Sequence, residues 1–218
     1  MCNGLQRPYL PVLGLFVSIP GYYGLAVLLY SLVRPDPDNP WGALIYTLSQ
    51  LIGFIILLQI ARMEGGGFRS IYVGGLGLRE IVLAVSLWLA AFTLWLPFNY
   101  VLGYFGISWS RWGYSVQGVN AVPVAVWALG AAFFEEAFFR GYALTRLPKL
   151  IKSTAASVVV SVLAFAAIHL RFGLALFIYM IVWATIISAL FMITRSTWSC
   201  LLYHAANNIV VDFIIYGR

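Results

Sequence analysis

Apolar residues run along this chain in blocks of about 20, a length that matches one crossing of a bilayer. The blocks fall near 9–33, 43–61, 81–107, 122–146, 154–171, 174–193 and 197–216. At roughly 1.5 Å per residue each block can span the hydrocarbon, so the pattern predicts an all-α bundle of about seven spans (roughly six to eight). The breaks between blocks have physical causes. Pro35-Asp36-Pro37-Asp38-Asn39-Pro40 cannot continue a helix. Gly65-Gly66-Gly67 lies in a charged loop, and Ser108 to Ala121 is polar and aromatic, as a segment riding the interface would be. The third block is long, and Pro97 is placed to kink it or to split off a re-entrant piece. Tyr9 to Val33 is too long for a signal-peptide core and lacks a convincing basic flank. It is expected to be a true first span, interrupted by Pro11 and Pro20.

Composition turns this pattern into a class. Hydrophobic residues make up 62% of the chain and charged residues 9%, with a mean hydropathy of +0.92. A soluble domain carries roughly 45–50% apolar and about 25% charged residues, so membrane lipids are the expected surroundings of residues 1–218, a single integral-membrane domain. The net charge of +6 does not point to nucleic acid, because the basic residues sit between apolar blocks, where they orient helices. With the N-terminus inside, eight Lys and Arg fall in inner loops: Arg7; Arg62, Arg69 and Arg79; Arg146, Lys149 and Lys152; and Arg195. Four fall outside: Arg34, Arg111, Arg171 and Arg218. The excess predicts a cytoplasmic N-terminus, and a cell membrane as the location. Cys2 precedes the first block and Cys200 lies in the last, which argues against a disulfide framework.

Three blocks carry polar groups that hydrocarbon does not tolerate without a reason. The first holds Glu135-Glu136-Ala137-Phe138-Phe139-Arg140. Neighbouring side chains on a helix diverge by about 100°, so Glu135 and Glu136 are expected to face different ways. Arg140, four residues after Glu136, is placed to pair with it, leaving Glu135 for chemistry. A glutamate pair snorkelling to water is the competing reading, and the phenylalanines around it argue against that. The second cluster is Phe165 and His169, one turn apart, so the ring can hold the imidazole. The third is His204 and Asn208, again four apart on one stripe. Asn207 points elsewhere as helix-packing glue, and Asp212 reads as interfacial.

A carboxylate, two imidazoles and an amide on three helices suit three reaction classes. Glu135 can take a proton from water while donors receive the oxyanion formed at a carbonyl. Glu135, His169 and His204 can instead hold a divalent metal such as zinc that activates water. The same groups can relay protons in a transporter. Spacing leaves all three open, although a neutral amide is a weak metal ligand and no His-Glu-x-x-His is present.

In this order, Glu-Glu-x-x-x-Arg at 135–140, Phe-x-x-x-His at 165–169 and His-x-x-x-Asn at 204–208 resemble a known family. It is the CAAX-prenyl-endopeptidase and bacteriocin-processing family (CPBP, also called Abi), in its type II CAAX endopeptidase group. Each motif alone is weak; three in sequence, each on a predicted span, are specific. The resemblance covers roughly residues 120–215, with a catalytic core of four C-terminal helices over 121–216 and accessory spans over 1–120. It implies an intramembrane endopeptidase in which Glu135 and His169 activate water and His204 with Asn208 forms the oxyanion hole. Glu136, Arg140 and Phe165 support them. No cofactor is favoured, and the implied substrate is a peptide or membrane protein, prenylated or not. A non-cleaving membrane immunity or binding protein of the same fold is the alternative that the family also suggests. One expectation concerns depth. His169 lies close to the outer end of the fifth block, so for it to meet Glu135 either the turn Arg171–Gly173 is sunk within the protein, the expectation favoured here, or the fifth span starts deeper.

Overall fold

The computed structural model describes residues 9–33, 41–107 and 121–210, and every regular element among them is helical. We number the helices α1 (Tyr9–Val33), α2 (Trp41–Met63), α3 (Leu78–Tyr104), α4 (121–151), α5 (Thr154–Ala167), α6 (Leu174–Thr194) and α7 (Thr197–Ile209). Among the described residues, α1, Leu44–Met63 of α2, α3 and α6 are long and apolar enough to cross a membrane. Their outer faces expose residues such as Leu32, Ile55, Leu96 and Ile193. Apolar cover on this scale matches lipid rather than water as the surrounding phase.

Helix boundaries depart from the apolar blocks in informative ways. The first block is one helix, widened into a π turn over Val17–Gly21 that accommodates Pro20. The third is an unbroken helix through Pro97, so no re-entrant piece is split off. The fourth runs past its expected end at 146 to Ile151, with a π segment over Ala137–Ala143 inserted just after the two glutamates. The fifth stops at Ala167 after 14 residues, about 21 Å of helix, which is short of the roughly 30 Å hydrocarbon core. The expected break at 35–40, the 108–120 segment, Asp212 and the end of the last block lie outside the described residues.

Caps and turns close one end of the bundle. Ser153 and Ser196 cap α5 and α7 by accepting hydrogen bonds from Ala156 N and Ser199 N. Lys152 and Arg195, with φ of +59° and +52°, turn the chain out of α4 and α6. The charged loop after α2 does more than connect. Arg146 of α4 donates to Glu64 Oε2 at 2.8 Å and to Ser70 O at 2.6 Å, while Tyr142 donates to Glu64 Oε1. Residues 71–75 then clamp the start of α7. Thr197 N donates to Val73 O and Thr197 Oγ1 to Ile71 O, each at 3.0 Å. Gly74, at φ +75° and pressed against Arg195 O, leaves no room for a Cβ.

α4 lies at the centre, packed against α2 and α7; α7 also contacts α3 and α6, and α5 packs on α6 and the C-terminal half of α4. The core meets around Phe138, Phe139, Phe165, Trp183 and Tyr203, all 2% exposed or less.

Candidate active site

The π segment decides what α4 can present. All seven of its residues are buried, and Ser161 of α5 donates to Phe139 O there. Gly141 allows the Ile71 carbonyl to approach where a Cβ would stand 2.3 Å from its oxygen. Such turns recur at functional sites because they redirect side chains without ending a helix.

Glu136 and Arg140 pair as the spacing predicts. Arg140 Nη1 donates to Glu136 Oε1 at 3.1 Å, and both side chains are fully buried. The guanidinium also stacks 4.6 Å over the Phe165 ring and reaches Ala184 O at 3.5 Å.

The two glutamates diverge, yet one imidazole meets both. His204 Nδ1 donates to Glu136 Oε1 at 2.8 Å, and its Nε2 stands 4.0 Å from Glu135 Oε2. The His204 ring bridges the angle between them. Its plane is fixed by edge contacts with Trp183 at 4.8 Å and Phe165 at 6.1 Å between centroids.

Phe165 is the shared wall of the site. It touches His169 at 4.9 Å, Trp183 at 5.5 Å and Phe139 at 5.1 Å, besides Arg140 and His204. His169 Nδ1 donates to Phe165 O at 2.8 Å. Measured from the loop at 152–153, Glu135 and His169 both stand about 20–25 Å along their helices at roughly 1.5 Å per residue. The turn after His169 is a short 3₁₀ helix, Leu170–Phe172, whose Phe172 packs on the core, and Gly173 closes it at φ +104°. On the N-terminal side of Glu135, α4 extends about another 20 Å.

Asn208 shares the stripe of His204, and one hydrogen of its amide is committed to Ala128 O of α4 at 3.0 Å. Two residues that sequence reasoning missed stand on Glu135. Tyr46 Oη and Gln50 Nε2, from α2, donate to Glu135 Oε1 at 2.9 and 3.1 Å. They are four apart, on one face of a helix outside all three motifs. As for metals, the described residues bring together no group of three or more His, Cys, Asp or Glu with the arrangement of a ligand shell. His169 Nδ1, His204 Nδ1 and Glu135 Oε1 each bond to a protein partner.

No curated protein and no solved structure matches the chain. The family model of the Rce1-like type II CAAX prenyl endopeptidases matches residues 117–210, which hold α4 to α7 and all three motifs, while α1 to α3 fall outside the match. Over that stretch the chain is similar to the Rce1-like type II CAAX prenyl endopeptidases, and its four long apolar helices are of the kind that cross a membrane.

Proposed function

We propose that this protein is an intramembrane endopeptidase that hydrolyses a peptide bond in a membrane-associated substrate, prenylated or not, by glutamate-activated water. The observation that carries the reading is the buried His204 ring, with one nitrogen on Glu136 and the other facing Glu135. Glu135 takes a proton from water, with His169 Nε2 accepting a second hydrogen bond to orient it. The hydroxide oxygen adds to the scissile carbonyl carbon, and the carbonyl electron pair moves to oxygen. That oxyanion is received by Nε2–H of His204 in its doubly protonated form and by the remaining amide hydrogen of Asn208. Collapse breaks the C–N bond, and Glu135 returns its proton to the leaving amine. Preorganised donors in a dry site are worth far more than in water, which is why aromatic walls surround the charged groups.

The donor set favours a metal-free reaction, because a neutral amide and an imidazole suit an oxyanion better than a metal shell. For topology, the reading has all seven helices within the bilayer and the N-terminus cytoplasmic. α5 ends at membrane depth, and its turn lines a water-filled cavity. The test is cleavage in liposomes of a prenylated peptide and its unprenylated control, with and without chelator. Cleavage of either peptide that survives chelation is expected. Activity that is lost on chelation and restored by zinc would replace the mechanism with a metal-dependent one. No cleavage of any peptide, with the biological effect surviving Glu135→Gln, would favour a non-proteolytic role.

A further inference from the structure

The Glu135 carboxylate is held unevenly. Tyr46 Oη and Gln50 Nε2 both donate to Oε1, whereas Oε2 receives no hydrogen bond among the described residues and faces His204 Nε2. Rotation of the carboxylate would break two hydrogen bonds to a charged acceptor. We propose that Tyr46 and Gln50 of α2 are positioning residues that lock Glu135 through Oε1, leaving Oε2 as the atom that takes the proton from water. This rests on the proteolytic reading above and extends the working site to a helix outside the family match.

Gln50 carries a second sign of this role. It is fully buried and its Oε1 has no hydrogen-bond partner among the described residues. An unmatched buried acceptor destabilises a fold, and an apolar side chain of the same shape would remove that burden. The amide makes sense at this position for what Nε2 does to Glu135. Stability given up at one residue for the geometry of another is the usual mark of a working site.

The test uses the full chain in liposomes with three variants. Tyr46→Phe removes one hydroxyl and keeps the ring. Gln50→Met keeps the volume and removes the donor. Ser49→Ala is the control, a neighbouring buried residue whose hydroxyl bonds only to Ile45 O of its own helix among the described residues. Hydrogen bonds to charged groups support a fall in kcat of about ten- to a hundredfold for Tyr46→Phe and Gln50→Met. KM should stay within about twofold, and Gln50→Met should unfold at the same detergent concentration as the parent or a higher one. A purely structural role would instead lower stability and leave kcat of the folded fraction unchanged. Carbon-13 glutamate labelling gives a readout independent of activity. Difference infrared spectra against Glu135→Gln isolate the Glu135 carboxylate bands, which should shift in both variants and not in Ser49→Ala. Unchanged kcat in both variants, loss in KM alone, or unshifted bands would overturn the proposal. If the parent cleaves no peptide, the proteolytic reading fails and the infrared bands alone decide whether Tyr46 and Gln50 hold Glu135.

Discussion

Glu136→Ala should destabilise the bundle strongly. Glu136 Oε1 accepts from Arg140 at 3.1 Å and from His204 at 2.8 Å, and neither glutamate nor arginine has contact with solvent. Without the carboxylate, the guanidinium keeps, among the described residues, a 3.5 Å contact to Ala184 O and the faces of Phe165 and Trp183. Breaking a buried ion pair from one side costs about 3–5 kcal/mol, because the surviving charge is left uncompensated. Against a total stability of roughly 5–15 kcal/mol, that is a large share. Replacing both partners, as in Glu136→Leu with Arg140→Met, removes the stranded charge and should return stability to within about 1 kcal/mol of the parent. Activity should not return with it, because His204 Nδ1 has lost its acceptor and the ring its orientation. Detergent-induced unfolding followed by tryptophan fluorescence, together with peptide cleavage by the folded protein, separates the two effects. A single variant within about 1 kcal/mol of the parent would refute the reasoning, and so would a double variant as unstable as the single.

Three further changes probe the frame around the site. Gly141→Ala drives a methyl against the Ile71 carbonyl that anchors Thr197, so it should cost about 1–3 kcal/mol in unfolding and disturb the start of α7. Phe165→Ala removes the wall shared by Arg140, His169 and His204, and an unfolding loss of about 3–5 kcal/mol is expected, with kcat reduced in what remains folded. Arg146→Met removes the guanidinium that ties Glu64 to the 67–70 turn, and limited trypsin digestion should then cut faster at Arg69 while the parent resists.

The family motifs were legible because each is local. An i,i+4 spacing on a helix predicts contact, and Glu136–Arg140 and Phe165–His169 are both in contact. What the chain did not reveal lies in features without a local signature. The π segment after Glu136 follows from tertiary packing around Gly141, and no residue pattern announces it. The short fifth helix was overestimated because Ile168 and Leu170 continue the apolar run past its end at Ala167. Tyr46 and Gln50 belong to an otherwise ordinary apolar span, and their partner is more than 80 residues away in sequence. The available clue was their polarity at one-turn spacing inside a greasy helix, the same criterion that singled out the histidines.

The central claim is that Glu135 is the base, while Glu136 is structural. Glu135→Gln keeps an oxygen to accept from Tyr46 and Gln50 and removes only the capacity to take a proton. The most direct measurement is kcat of this variant in liposomes, on a peptide that the parent cleaves, beside its unfolding curve. The account predicts an unfolding midpoint like the parent's and a loss of kcat of about a thousandfold or more. A Gln variant that folds equally well and still cleaves within about tenfold of the parent would contradict it.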